Sequence, residues 1–468
     1  MFGGQDARTT RFLSLISVPH NIGNCCNLPD KITLDNMKIR QLELQNFRCF
    51  EQKTFDFSDQ FNVIIGDNAT GKTAILDALA IGAGSFFLGI DKINSPNIQK
   101  DEIRRILRQE GEALTLEPIL PVVVSCHGSF EDVEEISWKR EIKTNSSTTT
   151  RGDAKEILQY ARELQQKVRI QDEDRKKIIL PVISYYSTGR LWVQHREIKN
   201  TKGPDSRFLG YKNCLTKSNE MKKIMLWFKK WELASLQQGR FLGTLSGVKE
   251  AIKNCMEDWQ DVKYDVFQNK LVATAQDGRT LPFNILSDGV KNMIGMVADI
   301  AYRCVTLNPQ FDGEAARLTP GIVLIDEIDL HLHPKWQRRV VEDLKRTFPK
   351  IQFFATTHSS LIIQSLREGE LIDLNNPDLL PAAEYENKYQ EYITEYIMHT
   401  PNTNRNDRHQ QMMETAERYY QMLENANNTS PEELENLKIE LDELIEPYSD
   451  DVAYHAFLKM KRLAKLGD

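Results

Sequence analysis

The stretch that decides the fold reads Phe61-Asn62-Val63-Ile64-Ile65-Gly66-Asp67-Asn68-Ala69-Thr70-Gly71-Lys72-Thr73. The apolar run at its start is typical of a buried strand, and the residues after Thr73 continue with the apolar spacing of a helix. The pattern G-x-x-x-x-G-K-T lies between these two elements. Strand, glycine-bracketed loop and helix in this order predict a loop that holds a polyphosphate with its backbone N–H groups.

The residues of this loop have different expected roles. Gly66 and Gly71 allow the backbone to wrap around the phosphates. Lys72 places a positive charge near the β- and γ-phosphates, and Thr73 offers a hydroxyl ligand to Mg²⁺. The N-terminus of the following helix adds its dipole. The sequence therefore predicts that the chain binds a nucleoside triphosphate together with Mg²⁺.

Composition limits the class of protein. The 468 residues are enough for two or three domains, or for one nucleotide-binding core with insertions. The longest apolar runs are too short to span a bilayer, and residues 1–36 lack the basic-then-apolar pattern of a signal peptide. None of the seven cysteines lies in a C-x-x-C pair, which favours reduced thiols over a zinc or disulfide framework. We expect a cytoplasmic protein.

Charge is distributed unevenly along the chain. Basic residues outnumber acidic ones between Lys167 and Lys230, and acidic residues dominate from Glu368 to Asp468. The basic middle suits a polyanion such as DNA, and the acidic end suits solvent or a basic partner, although a solvated charged face would explain either block. Four aromatic residues are interleaved with the basic segment and suit either stacking on bases or core packing: Trp192, Phe208, Tyr211 and Trp227.

Other segments have readable periods. A half-buried strand is predicted after Met37, and a buried strand over Ile178–Tyr186. Asp153–Lys177 has the pattern of an amphipathic helix, and Asp101–Glu112 that of a charged surface helix.

Two carboxylates follow a third apolar strand. The residues 321–325 are apolar, and Asp326 and Glu327 come directly after them. A carboxylate at the end of such a strand suits Mg²⁺ binding through water, and the second suits polarising an attacking water. Upstream, Ser287 and Gly289 begin a predicted helix, so this helix N-terminus is a second candidate anion site.

Three histidines are further candidates for contacts with the nucleotide or with a metal. His358 follows the apolar strand 351–357, at the position where the strand's end would meet the nucleotide, so its imidazole can hydrogen-bond the γ-phosphate. His331 and His333 could in principle bind a metal, but no third nitrogen or sulfur ligand lies nearby in the sequence, which disfavours zinc.

With these motifs in this order, the sequence resembles the ABC-type ATPase heads of the RecF/SMC group over about 37–127 and 280–375. The resemblance implies an α/β P-loop fold with a mixed β core, a helical lobe and a C-terminal helical domain. It implies ATP and Mg²⁺ as the bound groups. It also implies a homodimer at least, because in such heads the signature motif of one subunit completes the ATP site of the other.

The resemblance also assigns roles to residues. The Walker A loop comprises Gly66, Asp67, Asn68, Ala69, Thr70, Gly71, Lys72 and Thr73, with Asn68 facing the γ-phosphate. The remaining nucleotide-binding positions are Arg48 of an N-terminal Asn-Phe-Arg element, Ser287, Asp288 and Gly289 of the signature motif, and Asp329 of the D-loop. The implied catalytic residues are Asp326 and Glu327 of the Walker B motif and the switch histidine His358, with Thr73 and Asp326 at the metal.

A narrower resemblance concerns the PtuA ATPases of Septu-type anti-phage systems. It rests on Tyr185–Trp192, Ile325–Trp336 and Thr356–Ser359. It implies a slow regulatory ATPase in a bacterial cytoplasm, working with an HNH nuclease subunit. A RecF-like repair ATPase without a dedicated nuclease is the alternative. A scaffold that binds ATP without turnover fits less well, because Asp326, Glu327 and His358 are all present.

The sequence predicts five regions: an extension over 1–36, a head half over 37–127, an inserted basic lobe over 128–285, a second head half over 286–375, and an acidic helical domain over 376–468. The stretch between the head halves is too short for a long coiled-coil arm that also contains the predicted strands. The last region lacks the Glu and Asp-x-Asp pattern of a Toprim nuclease, so the chain itself is not expected to cut DNA. It carries a leucine seam that suits either packing within this domain or an oligomer or partner surface (Leu434, Leu437, Leu441, Leu444). It also carries basic residues that suit DNA (Lys459, Lys461, Arg462, Lys465).

Overall fold

The computed structural model describes residues 37–110, 113–130, 133–145, 147–170, 178–191, 207–216, 221–240 and 242–375, together with Ile393, Met398 and Ile439. The strands are β1 (Lys38–Phe47), β2 (Phe50–Asp56), β3 (Phe61–Ile65), β4 (Arg105–Glu110), β5 (Ala113–Pro118), β6 (Val122–Phe130), β7 (Val133–Ile142), β8 (Val182–Tyr186), β9 (Trp259–Asp265), β10 (Lys270–Ala275), β11 (Thr280–Pro282), β12 (Gly321–Ile325), β13 (Ile351–Thr356) and β14 (Leu371–Asp373). The α-helices are α1 (Lys72–Ala83), α2 (Lys155–Arg169), α3 (Met221–Gln238), α4 (Gly243–Cys255), α5 (Asp288–Leu307), α6 (Ala315–Leu318), α7 (Pro334–Gln337), α8 (Val340–Thr347) and α9 (Ser360–Ile363).

A five-stranded parallel sheet is the centre of the molecule, with strand order β14-β3-β13-β12-β8. Every residue of β3, β12 and β13 is buried. Parallel strands are covered on both faces, which is why these three read as continuous apolar runs instead of alternating ones. The carboxyl ends of the strands share one edge, and the loops after β3, β12, β13 and β8 meet there.

A second sheet, antiparallel with order β2-β1-β6-β7, packs on the first through α1. The helix α1 contacts β12 and β13 on one side and β1, β6 and β7 on the other. This position explains its apolar composition. Among the described residues, Lys72–Gly89 is the one helical stretch apolar and long enough to cross a membrane, but 89% of it is buried inside the protein.

A third group of elements forms a helical lobe around α5. The helices α3, α4 and α6 pack against α5, and the small antiparallel sheet β11-β10-β9 contacts α3 and α4. This lobe contains the segment that leads into the predicted signature motif.

The predicted surface helix over Asp101–Glu112 is wrong. The structure has a β-hairpin there, in which β4 pairs with β5 and Leu107 faces Leu116 across the strands. The leucines Leu107, Leu114 and Leu116 are each more than 60% exposed. A strand is recognised in a sequence by alternating apolar and polar residues when one of its faces is buried, and this hairpin has no such buried face.

Two predicted region boundaries also differ from the structure. The boundary at 127/128 falls inside β6, and β7 continues the same sheet beyond it. The strand β8 lies in the predicted inserted lobe, yet it is an edge of the central sheet and pairs with β12. The predicted regions differ from the structure because these strands pair with segments that are far apart in the sequence. The predicted extension over 1–36 and the predicted helices and leucine seam after Asn375 lie outside the described residues.

Candidate functional site

The loop between β3 and α1 has the backbone of a tight phosphate-binding turn. Gly66, Ala69 and Gly71 have positive φ values of 147°, 69° and 106°. A Cβ atom on Gly71 would lie 2.6 Å from both Cys49 Sγ and the ring of Phe50, so glycine is required there by space as well as by conformation. Lys72 Nζ donates to the carbonyl oxygens of Gly66 at 2.7 Å and Asp67 at 2.8 Å, which holds the amine inside the loop.

Asp326 lies beside the start of α1. Its carboxylate accepts hydrogen bonds from Thr356 Oγ1 at 2.7 Å and from Thr73 Oγ1 at 3.3 Å, and its amide donates to the carbonyl oxygen of Tyr186 at 2.8 Å. The side chain is buried, with 5% of its surface exposed. The fold therefore brings the two predicted metal ligands, Thr73 and Asp326, into direct contact.

The donor set fits Mg²⁺. A hydroxyl and a carboxylate are hard oxygen ligands, and Mg²⁺ is usually bound by one or two protein oxygens with waters and phosphates completing the shell. In the part of the chain that the structure describes, no group of three His, Cys, Asp or Glu side chains could hold a metal ion. His333 instead caps α7, where its Nδ1 accepts the amide of Lys335 at 3.2 Å.

Glu327 follows Asp326 in a turn of unusual geometry. Its φ is 50°, in the left-handed region that residues other than glycine rarely adopt. The amide of Glu327 donates to Thr356 Oγ1 at 2.7 Å, and that of Ile328 to the carbonyl oxygen of Thr356 at 2.9 Å. The end of β13 thus fixes the turn that aims the Glu327 side chain.

His358 lies two residues after β13 and is exposed. A cavity of about 130 Å³ lies between this residue and the phosphate loop, lined by Ile65, Gly66, Asp67, Asn68, Thr357, His358 and Met398. The segment carrying His358 is held by Thr357 Oγ1, which donates to Asp329 Oδ1 at 2.6 Å. The structure therefore places Asn68 and His358 on one cavity and bonds the D-loop to the segment that carries the histidine.

The predicted signature residues lie at the start of α5. Ser287 is the N-cap residue and Asp288 the first helical residue, paired with Lys291 at 3.2 Å. A Cβ atom on Gly289 would lie 2.2 Å from the carbonyl oxygen of His331, so the helix start packs directly on the D-loop. Residues 287–289 are not among the described residues that line the cavity between His358 and the phosphate loop.

Arg48 points to a different partner from the one predicted. Its guanidinium contacts Asp77 Oδ2 at 2.5 Å and Glu102 Oε1 at 2.9 Å. Burial lowers its pKa, but the two carboxylates raise it more, so the net shift is upward. Asp77 is on α1, one turn after Thr73, so Arg48 reaches the phosphate-loop helix and not the loop itself. Its approach to the nucleotide stays a prediction.

Three residues at this edge were missed by the sequence reasoning. Thr356 Oγ1 contacts the carboxylate of Asp326 and the backbone amide of Glu327, as described above. Tyr186 accepts the amide of Asp326, and Asn375 Oδ1 accepts the amide of Asp67 at 3.3 Å. Thr356 precedes Thr357 and His358 in a polar run that gives a weak signal. The other two contacts join segments far apart in sequence and have no local signal.

The basic segment is partly structural. Arg207 is buried and donates to the carbonyl oxygen of Leu307 at 2.5 Å. Tyr211 is fully buried, and Trp227 packs on Phe228 and Tyr302. The hypothesis of stacking on bases is therefore wrong for Tyr211, and Trp227 and Phe208 also pack against the core. Trp192 and the basic residues 459–465 lie outside the described residues.

The parallel sheet, the phosphate loop before α1 and the carboxylate turn after β12 define the ABC-type P-loop ATPase fold that the sequence predicts. The sequence matches the family described as "AAA domain" over residues 41–260. Over residues 253–364 it matches "AAA domain, putative AbiEii toxin, Type IV TA system".

Among curated proteins, the chain is 25% identical to the Retron Vc95 probable ATPase of Vibrio cholerae over 73% of this chain and 74% of that one. It is 24% identical to the Retron Ec83 probable ATPase of Escherichia coli over 73% of this chain and 72% of that one. It is 27% identical to the Septu protein PtuA of Bacillus mycoides over 86% of this chain and 50% of that protein. Among solved structures, the SMC head domain from Thermotoga maritima covers 72% of this chain and 94% of its own, with 17% identity and a TM-score of 0.39.

The predicted relationship is thus confirmed: the chain is similar to retron probable ATPases and to Septu PtuA.

Proposed function

We propose that this chain is the ATP-hydrolysing regulatory subunit of a bacterial anti-phage defence complex. It acts as a cytoplasmic homo-oligomer, controls an HNH nuclease partner and engages DNA. The observation that carries the ATPase part is the contact between Thr73 and Asp326, which joins the two motifs of one Mg²⁺-nucleotide site. The defence context is supported by the similarity to Septu PtuA and to two retron ATPases.

Each site residue has a proposed part in hydrolysis. The backbone N–H groups of 66–73 and the Lys72 amine bind the phosphates of ATP, and Thr73 and Asp326 hold Mg²⁺. Bound Mg²⁺ neutralises charge on the β- and γ-phosphates. Glu327 orients the attacking water and accepts its proton, while His358 donates a hydrogen bond to the γ-phosphate. Asn68, on the same cavity as His358, faces the γ-phosphate.

The signature residues are proposed to serve a second copy of the chain. Within one copy, 287–289 pack on the D-loop and none of these residues is among those lining the described cavity. Ser287 and the helix N-terminus of α5 suit an anion that arrives from outside the subunit. ATP would then bind between two subunits, and Asp288 and Asp329 would lie at the subunit interface.

DNA is proposed to bind the exposed part of the basic segment. Lys212 and Lys230 are exposed, whereas Arg207 is not. Phosphate contacts of this kind are sequence-tolerant and salt-sensitive, so the affinity for duplex DNA should fall steeply between 50 mM and 200 mM salt. Binding that does not change over this range would contradict an electrostatic interface.

A RecF-like repair ATPase is the second candidate. Its support is a match to RecF of Lactococcus lactis, 38% identical over 68 residues, which is only 14% of this chain. One experiment separates the two. The chain is purified with the product of the neighbouring gene, with and without ATP. A nuclease that co-purifies and changes activity with ATP supports the defence complex, and no associated nuclease favours repair.

A further inference from the structure

Two adjacent tyrosines end β8, and neighbouring strand residues point to opposite faces of a sheet. Tyr185 lies on the α1 side, where burial and the carboxylates of Asp77 and Asp326 raise the pKa of its hydroxyl. Tyr186 points to the other side, towards α5. The backbone of Tyr186 accepts the amide of Asp326 at 2.8 Å. Tyr186 is therefore joined by its main chain to the Walker B motif and is free to reach α5 with its side chain.

The Tyr186 hydroxyl donates to Asp299 Oδ2 on α5 at 2.8 Å. Asp299 Oδ2 also accepts Arg303 Nε at 2.7 Å, one turn further along the helix. The side chains of Asp299 and Arg303 are 8% and 4% exposed. The other oxygen, Asp299 Oδ1, is buried without a hydrogen-bond partner among the described residues. Both donors, the Tyr186 hydroxyl and Arg303 Nε, thus meet on one oxygen of the Asp299 carboxylate.

Arg303 extends this network. Its Nη1 donates to the carbonyl oxygen of Gly210 at 2.7 Å. Burial acts to lower the pKa of Arg303, but Asp299, Tyr186 and Cys214 together raise it, so the net shift is upward and the guanidinium stays charged. Burial and Asp299 also raise the pKa of Tyr186, so its hydroxyl stays protonated and remains a donor.

The helix α5 is therefore attached to the Walker B region at two places. Near its start, Gly289 packs on His331, and Asn292 Nδ2 donates to the carbonyl oxygen of Leu330 at 2.9 Å. In its middle, Asp299 is held by Tyr186, whose carbonyl oxygen holds Asp326. The two attachments together set the position of α5 relative to the Walker B strand at two points along the helix.

We propose that Tyr186 is a positioning residue, whose hydroxyl sets the signature helix relative to the Walker B strand of the same subunit. The inference rests on the proposed function, in which the start of α5 serves the ATP site of a second copy. Tyr186 then couples the two ATP sites of the dimer: order at Asp326 in one subunit fixes Ser287 for the other.

The test is Tyr186→Phe in the full chain, which removes the hydroxyl and keeps the backbone contact with Asp326. The matched control is Thr306→Val on the same helix, which removes the 2.7 Å hydrogen bond from Thr306 Oγ1 to the carbonyl oxygen of Tyr302 without touching β8. Three quantities are measured for each protein: the Kd for MgADP, the kcat of ATP hydrolysis and the Hill coefficient for ATP. MgADP reports on the phosphate loop alone, because it lacks the γ-phosphate that signature residues would contact.

For Tyr186→Phe we expect an unchanged Kd for MgADP, a kcat lower by about 10-fold and a Hill coefficient near one. Thr306→Val should behave like the parent. Arg303→Lys, which keeps the charge and loses the Nε donor, should give the same pattern and serves if Tyr186→Phe does not fold. Parent-like kcat and Hill coefficient in Tyr186→Phe would overturn the inference, as would a loss of MgADP affinity as large as the loss of kcat. A parent protein that neither hydrolyses ATP nor dimerises with it would instead overturn the proposed function.

Discussion

Thr356 Oγ1 donates to Asp326 Oδ1 at 2.7 Å and accepts the backbone amide of Glu327 at the same distance. One hydroxyl at the end of β13 thus contacts both residues that follow β12, Asp326 through its carboxylate and Glu327 through its backbone amide. The two strands are neighbours in the parallel sheet. The strand β13, which leads to His358, and the strand β12, which leads to Asp326 and Glu327, are therefore joined at the edge of the sheet where ATP hydrolysis is proposed. The positive φ of Glu327 is maintained by this contact.

Replacing Thr356 by Val should therefore lower activity while keeping the fold. Valine has a similar shape but cannot donate to Asp326 or accept from Glu327. Loss of such a supporting contact typically costs about 10–100-fold in metal affinity or activity. We expect the kcat of ATP hydrolysis and the affinity for Mg²⁺ to fall by that amount, measured by phosphate release during Mg²⁺ titration. Thr274→Val on β10, which removes a hydroxyl that hydrogen-bonds Thr280 at 3.0 Å far from the phosphate loop, is the control. Equal effects of the two changes would refute the role of Thr356.

Gly289→Ala tests the packing of the signature helix on the D-loop. An added Cβ would lie 2.2 Å from the backbone oxygen of His331, so the helix start or the D-loop must move. Such overpacking costs about 1–3 kcal/mol in the free energy of unfolding. We expect nearly normal binding of MgADP but a loss of ATP-dependent dimerisation, measured by sedimentation. Gly278→Ala, at an exposed turn with open space around the Cβ position, is the matched control for packing, although its positive φ adds strain. Retained dimerisation in Gly289→Ala would show that this helix start is not at the subunit interface.

Lys38 gives a prediction about pH. Burial lowers the pKa of its amine to about 8, and the amine donates to the carbonyl oxygen of Asp59 at 2.5 Å. Between pH 8 and pH 10.5 the unfolded chain binds more protons at this position than the folded chain, so Lys38 makes the free energy of unfolding rise with pH. The rise should approach about 3 kcal/mol across that window. Urea unfolding at a series of pH values measures it.

The control for this prediction is Lys38→Met, which keeps the length of the side chain and removes the charge. Burial raises the pKa of several tyrosines and cysteines in the folded chain, and these groups also contribute to the pH dependence of unfolding. The difference between parent and variant is therefore the informative quantity. The variant should be the more stable protein near pH 7, and its advantage should shrink as the pH rises. A constant difference across the window would show that Lys38 does not titrate with a lowered pKa.

The sequence predicts those parts of the molecule whose cause is local. The residues 61–73 carry their strand, turn and helix signals within one short stretch, and Ser287 lies at the helix start that its residue type predicts. The strands β12 and β13 are recognisable because burial on both faces leaves them wholly apolar.

Contacts between distant segments could not be predicted in the same way. The strand β8 belongs to the central sheet because it pairs with β12, and nothing near Tyr186 in sequence indicates this. The same holds for the contact of Asn375 with Asp67 and for the pairing of Arg48 with Asp77. The β4–β5 hairpin was missed because its leucines are exposed and its charges suit a surface helix equally well.

The most direct test of the central claim is ATP turnover and assembly in Glu327→Gln. The substitution keeps the shape of the side chain and removes the group proposed to accept a proton from water. We expect ATP binding at least as tight as in the parent, a stable ATP-bound dimer in sedimentation, and hydrolysis reduced by several orders of magnitude. Lys72→Ala, which should bind no ATP and form no dimer, is the reference. Parent-like hydrolysis by Glu327→Gln would contradict the account.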